Sequence, residues 1–213
     1  DYGPIAAGTV DLVEFYKVLP SLIKPNSYFN HDVCQAYIAE QRVSMRQIPG
    51  VTRWDAHRDS FMSGGLGVAI GLKFGAPDSE VEYYTGDGCS KLNGAALGFI
   101  KNFGIGVWVF DNGNHQIVDT GLDVIYGNEL DRERHHSVVP RADYVGFAIS
   151  QGLDGHLLSS DLSYLKYVIG RKYQNSRDPV PLSTLIQVPV DGLRVVGQNP
   201  RLLTLGSQGR PQL

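Results

Sequence analysis

Gly86-Asp87-Gly88-Cys89 opens, and Asp111-Asn112-Gly113-Asn114 closes, the segment from which the architecture can be read; Asn112 lies 25 residues after Asp87. Just before it, Val81-Glu82-Tyr83-Tyr84 reads as a strand. The two glycines flanking one carboxylate then allow a sharp turn that presents Asp87 at the strand tip. Leu92, Ala95, Ala96, Phe99, Ile100 and Phe103 recur at steps of three and four, the period of a helix with one buried face. The run Ile105-Gly106-Val107-Trp108-Val109-Phe110 has strand length and is apolar throughout, as in a sheet covered on both sides. Strand, turn, helix and strand make one βαβ unit. Its two strands run parallel with their carboxyl ends at one crevice, so Asp87 and Asn112 are predicted to meet there.

One carboxylate, one side-chain amide oxygen and neighbouring backbone carbonyls are hard oxygen donors, suited to a magnesium ion that also takes phosphate oxygens. The N–H groups of Gly88 and Cys89 open the predicted helix, and a helix start is a natural seat for a phosphate. The residues thus point to a metal-bridged polyphosphate. Gly-Asp-Gly alone also marks ordinary turns; the combination with the βαβ pattern and the Asn loop is what narrows the reading.

That combination resembles the diphosphate-binding motif of thiamine diphosphate enzymes, in which GDG is followed by a paired Asn. The resemblance implies that Asp87, the Asn112 side chain and the Asn114 backbone carbonyl hold Mg2+. Gly86, Asp87, Gly88 and Cys89 would contact the cofactor's diphosphate. Asp111 replaces the first Asn of the usual pair, a position that is not a metal ligand. The implied fold is α/β, a three-layer αβα sandwich on a mostly parallel sheet of about six strands. A second matching segment is Ser63-Gly64-Gly65-Leu66-Gly67, which packs small residues at helical spacing so that a helix can approach a sheet or ligand closely. By similarity to acetolactate-synthase-like and decarboxylase-like members, Met62 would be the wedge under the bent cofactor, with the Ser60 carbonyl and the Met62 N–H on the aminopyrimidine; the other reading of Met62 is plain core. Asp32-Val33-Cys34-Gln35 resembles the family's Asp-Val-Gly-Gln stretch, with Cys for Gly, and would bring His31, Asp32 and Gln35 to the cofactor's edge. They read equally as ordinary polar residues at a strand end. His115, in the loop toward the substrate side, is either an acid–base group or a surface histidine. Where pyruvate-decarboxylase-type members carry a Glu, this chain has Val118, then Asp119.

The 213 residues carry a net charge of −3 and no block or stripe of Lys and Arg, which argues against a nucleic-acid partner. No apolar run approaches ~18 residues, so no membrane span is expected, and without a leader pattern the expected location is cytoplasmic. Cys34 and Cys89 are too few for a disulfide framework and match no zinc spacing. Residues 1–9 read as an arm, followed by a short helix ending before Pro20. A strand is expected over 27–33, helices over 36–45, 142–148 and 161–173, the last capped by Ser160 or Asp161, and strands near 156–158 and 183–188. Asp131-Arg132-Glu133-Arg134-His135-His136 reads as a solvated loop rather than a metal site. The expected domain is 1–192, with 193–213 a tail that wraps a partner or is loose.

The resemblance implies a thiamine diphosphate- and Mg2+-dependent lyase or transferase that decarboxylates a 2-oxo acid, with or without joining the product to a second carbonyl. It further implies a companion subunit carrying the pyrimidine-binding domain and its Glu, as in split sulfopyruvate and phosphonopyruvate decarboxylases. The alternative is a non-catalytic regulatory or scaffold homologue. A nicotinamide-binding fold is disfavoured because no G-x-G-x-x-G follows the first strand.

Overall fold

The computed structural model describes residues 5–43, 48–55, 62–119 and 138–192. Six strands, all parallel, are hydrogen-bonded in the order β2-β1-β3-β4-β6-β5. They are β1 (Ser27–His31), β2 (Val51–Asp55), β3 (Glu80–Gly86), β4 (Ile105–Asp111), β5 (Asp154–Leu157) and β6 (Thr184–Pro189). β2 has no signal in the sequence beyond the Pro49-Gly50 break before it; among the described residues it is an edge strand paired only with β1.

Alternation along the central strands sorts side chains into two cores. Tyr84, Trp108, Phe110 and Ile186 face α1 (Leu12–Val18), α2 (Gln35–Val43) and α6 (Leu165–Asn175). Tyr83, Val107, Val109 and Leu185 face the opposite layer, made of α3 (Gly64–Gly75), a 3₁₀ segment (Gly94–Phe103) and α5 (Tyr144–Ser150). The expected three layers are therefore present. On the first face the packing is aromatic: Tyr84 stacks on Phe29 at 5.2 Å and on Trp108 at 5.8 Å between ring centres. After β1 the chain moves outward to β2, then returns to β3 on β1's other side. The connections accordingly leave for opposite faces, and a crevice opens between the carboxyl ends of β1 and β3.

Several local expectations are corrected. The helix after Asp87 is not continuous: α4 (Asp87–Asn93) gives way to the 3₁₀ segment. A three-residue period then turns Leu97, Ile100 and Phe103 inward and leaves Phe99 exposed; Leu92, in α4, is exposed too. In α3 only part of the small-residue stripe is required by packing. A Cβ on Gly65 would meet the Tyr83 ring at 2.5 Å, whereas at Gly67 and Gly71 there is nothing within 4 Å among the described residues. α6 starts at Leu165, later than the expected Asp161, because Asp161 is spent on a turn: its Oδ1 accepts from the Ser163 N–H and hydroxyl. The first helix does match expectation, with Asp11 as its cap accepting from the Val13 N–H. The region of Asp131–His136 and the tail 193–213 lie outside the described residues.

Candidate functional site

Thr85↔Val109 and Gly86↔Phe110 are paired in register, so β3 and β4 end side by side. The next residues, Asp87 and the Asn112 loop, consequently share one crevice. The Gly113 N–H donates to Asp87 Oδ2 at 2.7 Å, and the Gly88 N–H donates to Asp87 Oδ1 at 2.8 Å. One carboxylate thus clasps the tip of the next strand, and Gly113 supplies the positive φ (75°) that the loop needs there. Asp87 is 3% exposed. Burial pushes its carboxyl up to about 6, further raised by Asp111 and opposed by the Gly113 and Gly88 N–H bonds and by His115.

The loop after β4 is fixed from several sides. Asn112 Oδ1 accepts from the Asn114 N–H at 3.2 Å, and Asn112 Nδ2 donates to Gln116 Oε1 at 2.9 Å. Asn114 Nδ2 donates to the Gly192 carbonyl at 2.9 Å. Arg141 Nη1 donates to the Asp111 carbonyl at 3.2 Å and Arg141 Nη2 to that of Val190 at 3.3 Å. Asp111 itself turns away from the crevice, its Oδ2 accepting from Gln187 Nε2 at 3.0 Å. Its replacement of the family's first Asn is therefore a matter of sheet packing.

The crevice is a cleft of about 230 Å³, lined by Gly86, Asp87, Gly88 and Cys89 from one strand tip and by Asn112, Asn114, His115 and Gln116 from the other. Met62, Val33, Cys34 and Gln35 complete the wall nearest β1, with Ile117 and Val118 at the rim. Gly88 leaves room for two of the predicted site residues. A Cβ there would lie 2.6 Å from His115 Cε1, 2.8 Å from His115 Nδ1 and 3.3 Å from Met62 Cε. Met62 and His115 therefore converge on the same point of the diphosphate turn. The Gly88 N–H, expected to face a phosphate, is bonded to Asp87, while the Cys89 N–H is one of the first-turn donors a helix cannot satisfy internally.

Other predicted residues take supporting places. Asp32 is buried, with Oδ1 accepting from the Val33 and Ser63 N–H groups at 3.0 Å each and Oδ2 from the Tyr83 hydroxyl at 2.8 Å. Burial raises its carboxyl above the ordinary range against these three bonds and a fourth from Cys89. Asp32 does not line the cleft; it ties β1 to the segment that carries Met62. His31 points into the α2 side, its Nε2 lying 2.8 Å from Glu40 Oε2, while Gln35 does reach the cleft. Ser60 lies outside the described residues. Both thiols stay protonated at neutral pH: burial drives Cys34 strongly upward and Cys89 to about 12.

Sequence reasoning passed over Ser63, Arg141 and Gln116. Ser63 has φ 73° at the start of α3; its Oγ donates to the Cys89 carbonyl at 2.8 Å and its own carbonyl accepts from Asn93 Nδ2 at 2.7 Å. Its membership of a small-residue motif was visible, its role as a clamp between the Met62 segment and α4 was not. Arg141 and Gln116 sit in no motif at all.

The donor set suits a hard cation. Asp87 supplies an ionisable carboxylate and Asn112 Oδ1 has a second lone pair beyond its Asn114 bond; the third expected ligand is the backbone carbonyl of Asn114, which lines the same cleft. No three His, Cys, Asp or Glu side chains cluster as a metal site among the described residues, so the candidate set has one carboxylate with amide and backbone oxygens.

Comparison with known proteins agrees with this geometry. The profile of the thiamine pyrophosphate enzyme C-terminal TPP-binding domain matches residues 32–180. The chain belongs to that family, and it is the diphosphate-binding type of domain of a thiamine pyrophosphate enzyme. Its fold is shared with a Rhodococcus jostii RHA1 thiamine diphosphate-dependent 4-hydroxybenzoylformate decarboxylase, at TM-score 0.71 and 15% identity over 90% of this chain and 34% of that one. It is equally shared with benzoylformate decarboxylase from Polynucleobacter necessarius, at TM-score 0.73 and 15% identity over 90% and 35% of the two chains. This chain thus spans about a third of the length of those two enzymes. No curated protein sequence matches it. Among the described residues, no helix is long and apolar enough to cross a membrane.

Proposed function

We propose that this chain is the diphosphate-binding part of a thiamine diphosphate- and Mg2+-dependent enzyme that decarboxylates a 2-oxo acid, with or without carboligation. The observation that carries the reading is the Asp87 carboxylate joined to the Gly113 N–H. It holds the carboxylate in the cleft that Asn112 and Asn114 also line, with no lysine or arginine paired to it among the described residues. A buried carboxylate without a cationic partner is costly, and a divalent ion removes that cost.

In this reading Asp87, Asn112 and the Asn114 carbonyl hold Mg2+, and the Cys89 N–H meets a diphosphate oxygen. Met62 supports the cofactor from beneath, and thiamine diphosphate supplies the electron sink for loss of CO₂. His115, lodged over Gly88, exchanges a proton with the substrate's oxygen. Val33, Ile117 and Val118 give the cleft an apolar wall that limits water around the reacting group. Among the described residues no glutamate lines the cleft. The proposal accordingly includes a companion subunit whose pyrimidine-binding domain brings that carboxyl to the open side.

Calorimetric titration with thiamine diphosphate plus Mg2+, on the chain and on Asp87→Ala, tests this. Binding that requires Mg2+ and weakens more than about 100-fold in the variant is expected, in line with loss of a charged ligand. Indifference to the cofactor, or equal binding by the variant, sinks the reading. Cofactor binding without consumption of any 2-oxo acid when the companion is supplied would favour a scaffold role.

A further inference from the structure

The two asparagines of the loop after β4 are each anchored through the amide nitrogen. Asn112 Nδ2 donates to Gln116 Oε1 and Asn114 Nδ2 to the Gly192 carbonyl, both at 2.9 Å. A primary amide has an accepting end and a donating end of nearly the same size, and only the first attracts a cation. For Asn112 the choice is made twice. The Asn114 N–H, which can only donate, takes Oδ1, and Gln116 takes the nitrogen. Gln116 is 3% exposed and sits on the helical turn after His115, where the Val118 and Asp119 N–H groups bond back to the His115 carbonyl. That turn returns the side chain to Asn112, four residues earlier.

We infer that Gln116 is a positioning residue for the divalent cation: its carbonyl oxygen holds the Asn112 amide nitrogen, leaving the amide oxygen, not NH₂, for the cleft shared with Asp87. The inference rests on the cation reading proposed above. Gln116 acts through Asn112 as an orienting partner behind a ligand. Such partners are worth about 10- to 100-fold in metal affinity.

The test needs no turnover. The full chain with thiamine diphosphate is titrated with Mn2+ while the free-ion paramagnetic resonance signal is followed, and melting without metal or cofactor reports on folding. Gln116→Leu, which removes the acceptor, is expected to lose about 10- to 100-fold in Mn2+ affinity. Gln116→Glu, which keeps an acceptor at the same reach, is expected to stay within about threefold of the parent or bind more tightly. Should the branched side chain prevent folding, Gln116→Met replaces it, since a thioether is only a weak acceptor. Parent-like Mn2+ binding by the Leu or Met variant overturns the inference, and so does a Glu variant as weak as Leu. Absence of Mn2+ binding by the parent chain overturns the proposed function and takes this inference with it, whereas equal binding by parent and variant removes the inference alone.

Discussion

At its amino end β3 buries Glu80 and Glu82 against the ammonium of Lys172, which lies 2.9 Å from Glu80 Oε2 and 2.7 Å from Glu82 Oε1. Arg177 and Ser176 complete Glu80, and Trp108 Nε1 donates to Glu82 Oε2 at 2.8 Å. At its carboxyl end Asp87 is just as deeply buried, but backbone N–H groups alone bond to its oxygens among the described residues. Desolvation acts on both ends. At Glu80 it is outweighed by Lys172 and the neighbouring donors, which hold the carboxyl below its ordinary value. At Asp87 it wins, and the carboxyl rises to about 6. One end of the strand completes its charge balance within the fold; the other has no lysine or arginine partner among the described residues. That contrast separates a structural ion cluster from a site.

The largest effect expected from breaking this contrast is at the completed end. Lys172→Met leaves two buried carboxylates without their ammonium and should cost about 3–5 kcal/mol in urea unfolding, while Mg2+-dependent cofactor binding by the folded fraction persists. A loss below about 1 kcal/mol would mean that the cluster is solvated and the contrast unfounded.

The two ends should also respond oppositely to pH. Asp87 has a folded value above its ordinary 3.8, so the native state holds its proton more tightly. Its contribution is complete below pH about 4 and is lost as pH rises through about 6, on the order of 3 kcal/mol in the metal-free chain. Glu80, shifted downward, contributes above its ordinary 4.5 and loses that contribution as pH falls through its folded value. Unfolding free energies measured from pH 3 to pH 8 with and without Mg2+ check the sign. Mg2+ affinity should strengthen as pH rises toward about 6 and level off above it, and a metal affinity flat across that range would remove Asp87 from the ligand set.

The smallest expected effect is at Gly192. A Cβ there would lie 2.2 Å from the Asn112 carbonyl oxygen, a backbone atom that no rotamer change can move aside. Gly192→Ala should destabilise the chain by about 1–3 kcal/mol and weaken Mg2+ binding with it, because the displaced residue is the proposed ligand Asn112. Unchanged metal affinity in a destabilised Gly192→Ala protein would uncouple the loop's position from the site.

The contrast was only half legible in the sequence. Asp87 and Asn112 could be paired because a βαβ unit forces the carboxyl ends of parallel strands together, whatever the helix between them does. The helix is only partly as expected: Ile100 is buried as its period predicts, but the chain tightens to 3₁₀ at Gly94, which exposes Phe99 and buries Leu97, and Leu92, in the α-helical turn before it, is exposed as well. Met62 was singled out by resemblance and His115 by its place in the polar loop after Asn114, and their convergence over Gly88 was not visible, because it depends on how two loops from different strands pack. Asp32 was found for the same reason as Met62, yet its oxygens serve Ser63 and Tyr83 from beneath the cleft.

From the sequence alone came the parallel α/β architecture, the two strand tips and the family, because hydrophobic period and glycine-flanked carboxylates are local properties of the chain. Tertiary structure alone decided which buried charges are answered by Lys172 and Arg177 and which meet backbone N–H groups alone. It alone also decided that Gln116 and Gly192 turn the loop amides. Charge compensation and amide orientation are set by neighbours distant in sequence, and no local pattern encodes them.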